Sequence, residues 1–248
     1  MEGTREHSNL TVGMGSVMER TALASLQPRA RITGVVYLAY FLFAIGTLFT
    51  PATPKDIVAH ELLFRLEFAV GLISLGLYVA LTALFYNLFR PVNRNLALVA
   101  AFLGLMGCAV QALGSVFQLA PLVVLGGSHY KSVFNAEQLQ SLAQMLLDLN
   151  AQAGAVGIVF FAVFDIVIGY LIFKSTFLPR ILGALMVIAG LGWLTFLSPP
   201  FANYVLIPIE VLGFLAELAL MLWLLVRGVN VQRWQEQAGV TRAQLLVR

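Results

Sequence analysis

Residues 152–173 read QAGAVGIVFFAVFDIVIGYLIF, 22 consecutive positions carrying a single charge, Asp165. About 20 apolar residues in an α-helix cross the ~30 Å of hydrocarbon in a bilayer, so this stretch is long enough to be a membrane span. A charged side chain near the bilayer centre costs roughly 2.5–3.5 kcal/mol on insertion scales. Asp165 therefore needs a reason to be there, and the same segment raises the question of fold and the question of function.

Five more runs of this kind lie around it. The first is Ile32 to Thr50, free of charge and bounded by Arg29 and Arg31. The second runs from about Leu62 to Phe89, and the third opens after Arg94 and extends to about Phe117, with Pro121 a point where it can break. The fifth covers about Ile181 to Leu197, ending at Ser198-Pro199-Pro200, and the sixth about Val205 to Val226, with Pro208 inside it. Lipid cannot satisfy an open backbone, so helices are the expected element, and the strict alternation of a barrel strand is absent. The fold class expected is an all-α, polytopic membrane bundle of six transmembrane helices. Residues 29–232 form the membrane domain, with a flexible cytoplasmic tail at 1–28 and a short cytoplasmic tail at 233–248.

Composition agrees. The chain is 60% hydrophobic and 11% charged, with a mean hydropathy of +0.88, where soluble domains are about half apolar and about a quarter charged. Lipid is therefore the first partner. The pI of 9.2 does not signal a nucleic-acid partner, because the basic residues are dispersed at helix ends instead of clustering on one face.

Their distribution sets an orientation. Arg5, Arg20, Arg29, Arg31, Arg90, Arg94, Lys174, Arg180, Arg227, Arg233, Arg242 and Arg248 fall on one side, twelve in all, against three, Lys55, Arg65 and Lys131, on the other. By the positive-inside rule both termini are expected in the cytoplasm, and the host membrane is expected to be the cytoplasmic one.

In the outer loop between the third and fourth spans, Asn135 and Gln138 have the spacing of a helix-capping pair. Leu139, Leu142, Ala143, Leu146 and Leu149 then recur at helical spacing, with Gln140, Gln144 and Asp148 largely opposite. The expectation is a short amphipathic helix at the outer interface, with an N-terminal extension of the fourth span as the alternative.

Six polar residues stand out within the spans. Counting 1.5 Å per residue from the outer ends, Asp165 lies roughly 20 Å deep and Glu217 roughly 18 Å. Glu67, Gln111 and Glu210 lie roughly 7–11 Å deep by the same rise. Arg65 is the cation closest in depth to Glu67 and Glu210, although Glu61 four residues before it is a competing partner. Asp165 and Glu217 have no cation at their level, so charge there requires water, an ion or a cationic ligand to reach them. The candidate intramembrane site is therefore Glu67, Gln111, Asp165, Glu210, Glu217 and Arg65. The plainer alternative is that buried acids join helices as hydrogen-bonding groups, worth roughly 1 kcal/mol or less each.

Other features read as structure. Gly104, Cys108 and Ala112 on the third span and Ala153 and Gly157 on the fourth recur every fourth position, as helix-packing stripes do. Tyr37, Tyr40, Trp193 and Trp223 read as ordinary membrane aromatics. The single cysteine excludes an intramolecular disulfide, and His7, His60 and His129 have no partners at metal-ligand spacing. No metal site or cofactor is assigned. No glycine loop for phosphates, nucleophile elbow or zinc-helix motif is present, so no catalytic residue is assigned either. Leu88-Phe89-Arg90-Pro91-Val92-Asn93 and Leu225-Val226-Arg227-Gly228-Val229-Asn230 echo each other, as do Arg31-Ile32-Thr33-Gly34 and Arg180-Ile181-Leu182-Gly183. A duplicated two-helix unit would explain this; the shared demands of cytoplasmic helix ends explain it more simply.

Several stretches carry a resemblance: Arg31 to Leu38, Pro91 to Arg94, Phe177 to Gly183, Glu217 to Leu220 and Leu224 to Asn230. In that order they resemble the prokaryotic membrane family catalogued as domain of unknown function 4386, over about Arg29 to Gln232. The resemblance implies a bacterial or archaeal multi-helix membrane protein and supplies no activity. Three readings follow. The leading one is handling of a small cation, protons or a small solute through outer-facing carboxylates. The second is a non-catalytic scaffold or sensor acting through a protein partner. The third is an enzyme acting on lipid, which would need an acid and base at one depth.

Overall fold

The computed structural model describes residues 27–46, 53–197 and 199–246, with side chains described outside 199–207 and 240–246. Most of the tail expected at 1–28, and Thr50 at the end of the first run, lie outside the described residues, as do His7 and Ser198. The helices are α1 (Gln27–Gly46), α2 (Pro54–Ala59), α3 (Glu61–Phe89), α4 (Arg94–Gly126), α5 (Ser128–Val133), α6 (Ala136–Lys174), α7 (Arg180–Trp193), α8 (Pro199–Val226) and α9 (Val231–Leu246). A 3₁₀ turn, Leu194–Leu197, extends α7. Six of the described helices, α1, α3, α4, α6, α7 and α8, are long and apolar enough to cross a membrane. The chain is a multi-pass membrane protein.

The helix boundaries follow from local chemistry. At the start of α6 the Asn135 side chain accepts from the Gln138 N–H at 2.9 Å, while the Gln138 side chain accepts from the Asn135 N–H at 3.0 Å. That reciprocal pair satisfies two of the amide groups a helix start leaves open. From there α6 runs unbroken for 39 residues, about 58 Å at 1.5 Å per residue and nearly twice the hydrocarbon thickness. The amphipathic stretch is therefore helical and continuous with the fourth span, its apolar Leu139 and Ala143 buried. Together with α2, α5 and the last turns of α4 it forms a crown at one end of the bundle. Neither Pro121 nor Pro208 interrupts its helix.

At the opposite end, the two echoing sequences do the same job. Asn93 accepts from the Leu96 N–H at 3.1 Å to cap α4, and Asn230 accepts from the Arg233 N–H at 3.1 Å to cap α9. Between α8 and α9, Gly228 takes φ +66°, a left-handed turn that costs glycine little. Its N–H closes on the Trp223 carbonyl at 3.0 Å, in the manner of a helix C-cap. The α9 helix then lies across this end. The Trp234 indole N–H donates to the Leu88 carbonyl at 2.9 Å, and Thr176 donates to the Arg233 carbonyl at 3.3 Å. Residues 233–246 thus belong to a docked helix, one the polar sequence gave no reason to expect.

The core occupies the α9 end. Phe85, Phe89, Ile168, Leu171, Met186, Leu220 and Leu224 are fully buried there. Backbones come close where side chains are absent: a Cβ placed on Gly34 would sit 2.5 Å from the Leu225 nitrogen, and one on Gly169 would sit 2.6 Å from the Gly183 oxygen. Outward faces carry Leu62, Leu66, Ile73, Phe102, Leu113 and Val116, all exposed, an apolar belt of the kind lipid covers. Near the α9 end Lys174, Arg180 and Arg227 lie 5.7, 5.7 and 5.9 Å over the rings of Tyr170, Phe173 and Trp223, as expected where long basic side chains reach from the hydrocarbon edge toward water.

Candidate functional site

Above that core the helices part. Helical periodicity puts Glu67, Gly71, Ser74 and Tyr78 on one face of α3, Gln111, Ser115 and Gln118 on one face of α4, and Gly154, Ile158, Phe161 and Asp165 on one face of α6. These faces converge, with Tyr40 of α1, Trp193 of α7 and Glu217 of α8, around a cavity of about 470 Å³. The lining runs from Gln118 and Asn150 beside the crown to Asp165 and Glu217 above the packed core. From Asn150 to Asp165 is roughly 22 Å along α6.

Small residues make room for this arrangement. Gly157 accepts the Gln111 side chain, whose Cγ would lie 2.7 Å from an added Cβ, and Gly107 accepts the Phe161 ring. The contact face of α4 is thus Gly104, Gly107, Gln111 and Gly114, with Gly114 against Ala153. Ala112, the third member of the stripe expected from sequence, faces outward. Cys108 is buried in the core, as a small packing residue would be.

At the deep end Asp165 is only 3% exposed. The Tyr37 hydroxyl donates to Glu217 Oε2 at 3.2 Å and so fixes that carboxylate against α1. Asp165 and Glu217 line the same cavity. Rings surround them: Tyr40 and Tyr78 have centroids 5.0 Å apart, and Tyr78 and Phe161 4.7 Å. Among the described residues the lining includes Glu67, Asp165 and Glu217 and no Lys, Arg or His.

The structure thus brings together Glu67, Gln111, Asp165 and Glu217, and leaves two of the six sequence candidates elsewhere. Arg65 is exposed and its Nε donates to Glu61 Oε1 at 2.8 Å. Two positions apart on a helix point in nearly opposite directions, so Arg65 faces away from Glu67 despite its similar depth. Glu210 is also exposed. It shares a face of α8 with Gly213 and Glu217, but the Trp193 indole packs onto Gly213, where an added Cβ would lie 2.5 Å from the ring. Trp193 thereby closes the cavity wall between the two acids.

Sequence reading missed Tyr78, Ser115, Gln118 and Phe161, and took Tyr40 and Trp193 for generic membrane aromatics. A signal existed for α4, where Gln111, Ser115 and Gln118 recur at i, i+4 and i+7 in an otherwise apolar run. The aromatic walls had none.

The family model for the domain of unknown function (DUF4386) matches residues 32–228. The chain belongs to the DUF4386 family. All six spans lie wholly or mostly within the matched segment, and so does every residue that lines the cavity, from Tyr40 to Glu217. An uncharacterized protein of Archaeoglobus fulgidus is 26% identical over 150 residues, covering 60% of this chain and 76% of its own. No solved structure matches. The DUF4386 description itself states no activity.

Proposed function

We propose that this DUF4386 protein takes a small cation or cationic solute into the cavity from the crown side and holds it against Asp165 and Glu217. The observation that carries this reading is the convergence of three carboxylates on one cavity with, among the described residues, no basic side chain in its lining. In a low-dielectric setting such a lining favours positive charge and disfavours anions. The twelve basic residues that the sequence alone puts on one side against three on the other, with Arg90, Arg94, Lys174, Arg180 and Arg227 of that set at the helix ends facing α9, support placing the α9 end in the cytoplasm and the cavity mouth outside, in a cytoplasmic membrane. A solute at Asp165 meets the packed layer of Phe85, Ile168 and Leu220. Binding needs no rearrangement, whereas passage through the bilayer requires the helices at the α9 end to separate.

The test is thermal unfolding of the purified full-length protein in detergent, with sodium, potassium, ammonium and choline chlorides at matched ionic strength. At least one cation should raise the melting temperature of the wild type, and Glu217→Gln should lose that increment while remaining folded. An increment that is the same in Glu217→Gln and in Asp165→Asn would overturn the reading.

A further inference from the structure

We propose that the cation this cavity takes is an organic ammonium ion with an apolar body. The inference rests on the reading of the cavity given above and adds the class of ligand. Asp165 is the first support. It lines the cavity while only 3% exposed, and among the described residues no hydrogen bond or ion pair satisfies its carboxylate. A buried acceptor in that position is completed by a donor or a cation from outside.

The walls around it choose which cation. Tyr40, Tyr78 and Phe161 form a contiguous aromatic surface, with successive centroids 5.0 and 4.7 Å apart, ending on the helix face that bears Asp165. Aromatic faces attract an ammonium group and also pack against its alkyl substituents. Bare metal ions fit less well. Among the described residues no three His, Cys, Asp or Glu side chains are grouped to hold one. The cavity's 470 Å³ would also leave a bare ion mostly among waters, each of which occupies about 30 Å³ in the liquid. An ammonium with an apolar body uses all three features: charge against Asp165, rings around the head group, and volume toward Phe68 and Trp193.

The experiment compares choline with its uncharged isostere, 3,3-dimethylbutan-1-ol, by equilibrium dialysis against the full-length protein in detergent. Choline should bind at least about tenfold more tightly, because the two probes differ only in the charge that carboxylates and rings recognise. Tyr40→Leu should weaken choline severalfold and Tyr40→Phe should restore it, since the ring and not the hydroxyl is needed. Comparison of the two probes needs no variant, so a folding defect cannot hide the answer. Equal binding of the two probes, or no choline binding, overturns the inference. If sodium or potassium then still gives a Glu217-dependent thermal increment, the cavity reading survives it; if no cation does, both fall.

Discussion

The two ends of the bundle are made from the same helices and nearly the same apolar composition, yet they solve opposite problems. At the α9 end glycines are notches: Gly34 seats the Leu225 backbone, and Gly169 meets Gly183. At the crown end Gly71 and Gly154 line the cavity, and a Cβ on either would meet nothing within 4 Å. Lipid tails are as apolar as leucine, so helices in a bilayer associate through close packing and hydrogen bonds instead of through exclusion of water. Tight contacts close the α9 end and continue up the α4–α6 seam through Gly107, Gly114 and Gly157, so the faces around the cavity can stay apart without the bundle falling open. One small residue type serves closeness in the first place and space in the second.

The sharpest attempt to break this contrast is cysteine labelling in a Cys108→Ala background. Ser115→Cys should react fully with a membrane-impermeant thiol reagent, whereas Leu171→Cys should not react in the folded protein. Labelling of both, read by mass spectrometry, would show that the α9 end is not dry. Next in size is a pair of glycine substitutions. Gly34→Ala forces a methyl against immobile backbone and should destabilise by about 3 kcal/mol, while Gly71→Ala should be close to neutral, both measured by unfolding in detergent. The smallest effect is expected at the strap across the α9 end. Trp234→Phe deletes the donor to the Leu88 carbonyl and should cost about 1 kcal/mol, with faster amide exchange confined to α9 and the end of α3.

Much of this was legible in the sequence because it is local. Each span is a run of apolar residues, and the capping pair Asn135 and Gln138 sits three positions apart, so neither needs knowledge of the rest of the fold. Position along each helix was legible too, since the helical rise converts it into height. Height, however, leaves direction around the helix axis undetermined. Arg65 and Glu210 matched the others in depth and face elsewhere, one turned out by its two-residue offset from Glu67 and one cut off by Trp193. The docking of α9 was hidden for another reason: Trp234 and Leu88 are 146 residues apart, and nothing within 231–246 is apolar enough to announce a buried face.

Helix α8 supplies Glu217 and also receives Gly34 and Tyr37 of α1, the first and the last of the described spans meeting along one seam. Synthesis proceeds from the N-terminus, so α1 waits in the membrane while four further spans are made before α8 arrives. During that interval Asp165 resides in the bilayer with one wall of its surroundings missing. Completion of the pocket and closure of the ring of helices are thus the same late event in biogenesis, and a chain cut short before α8 would lack both.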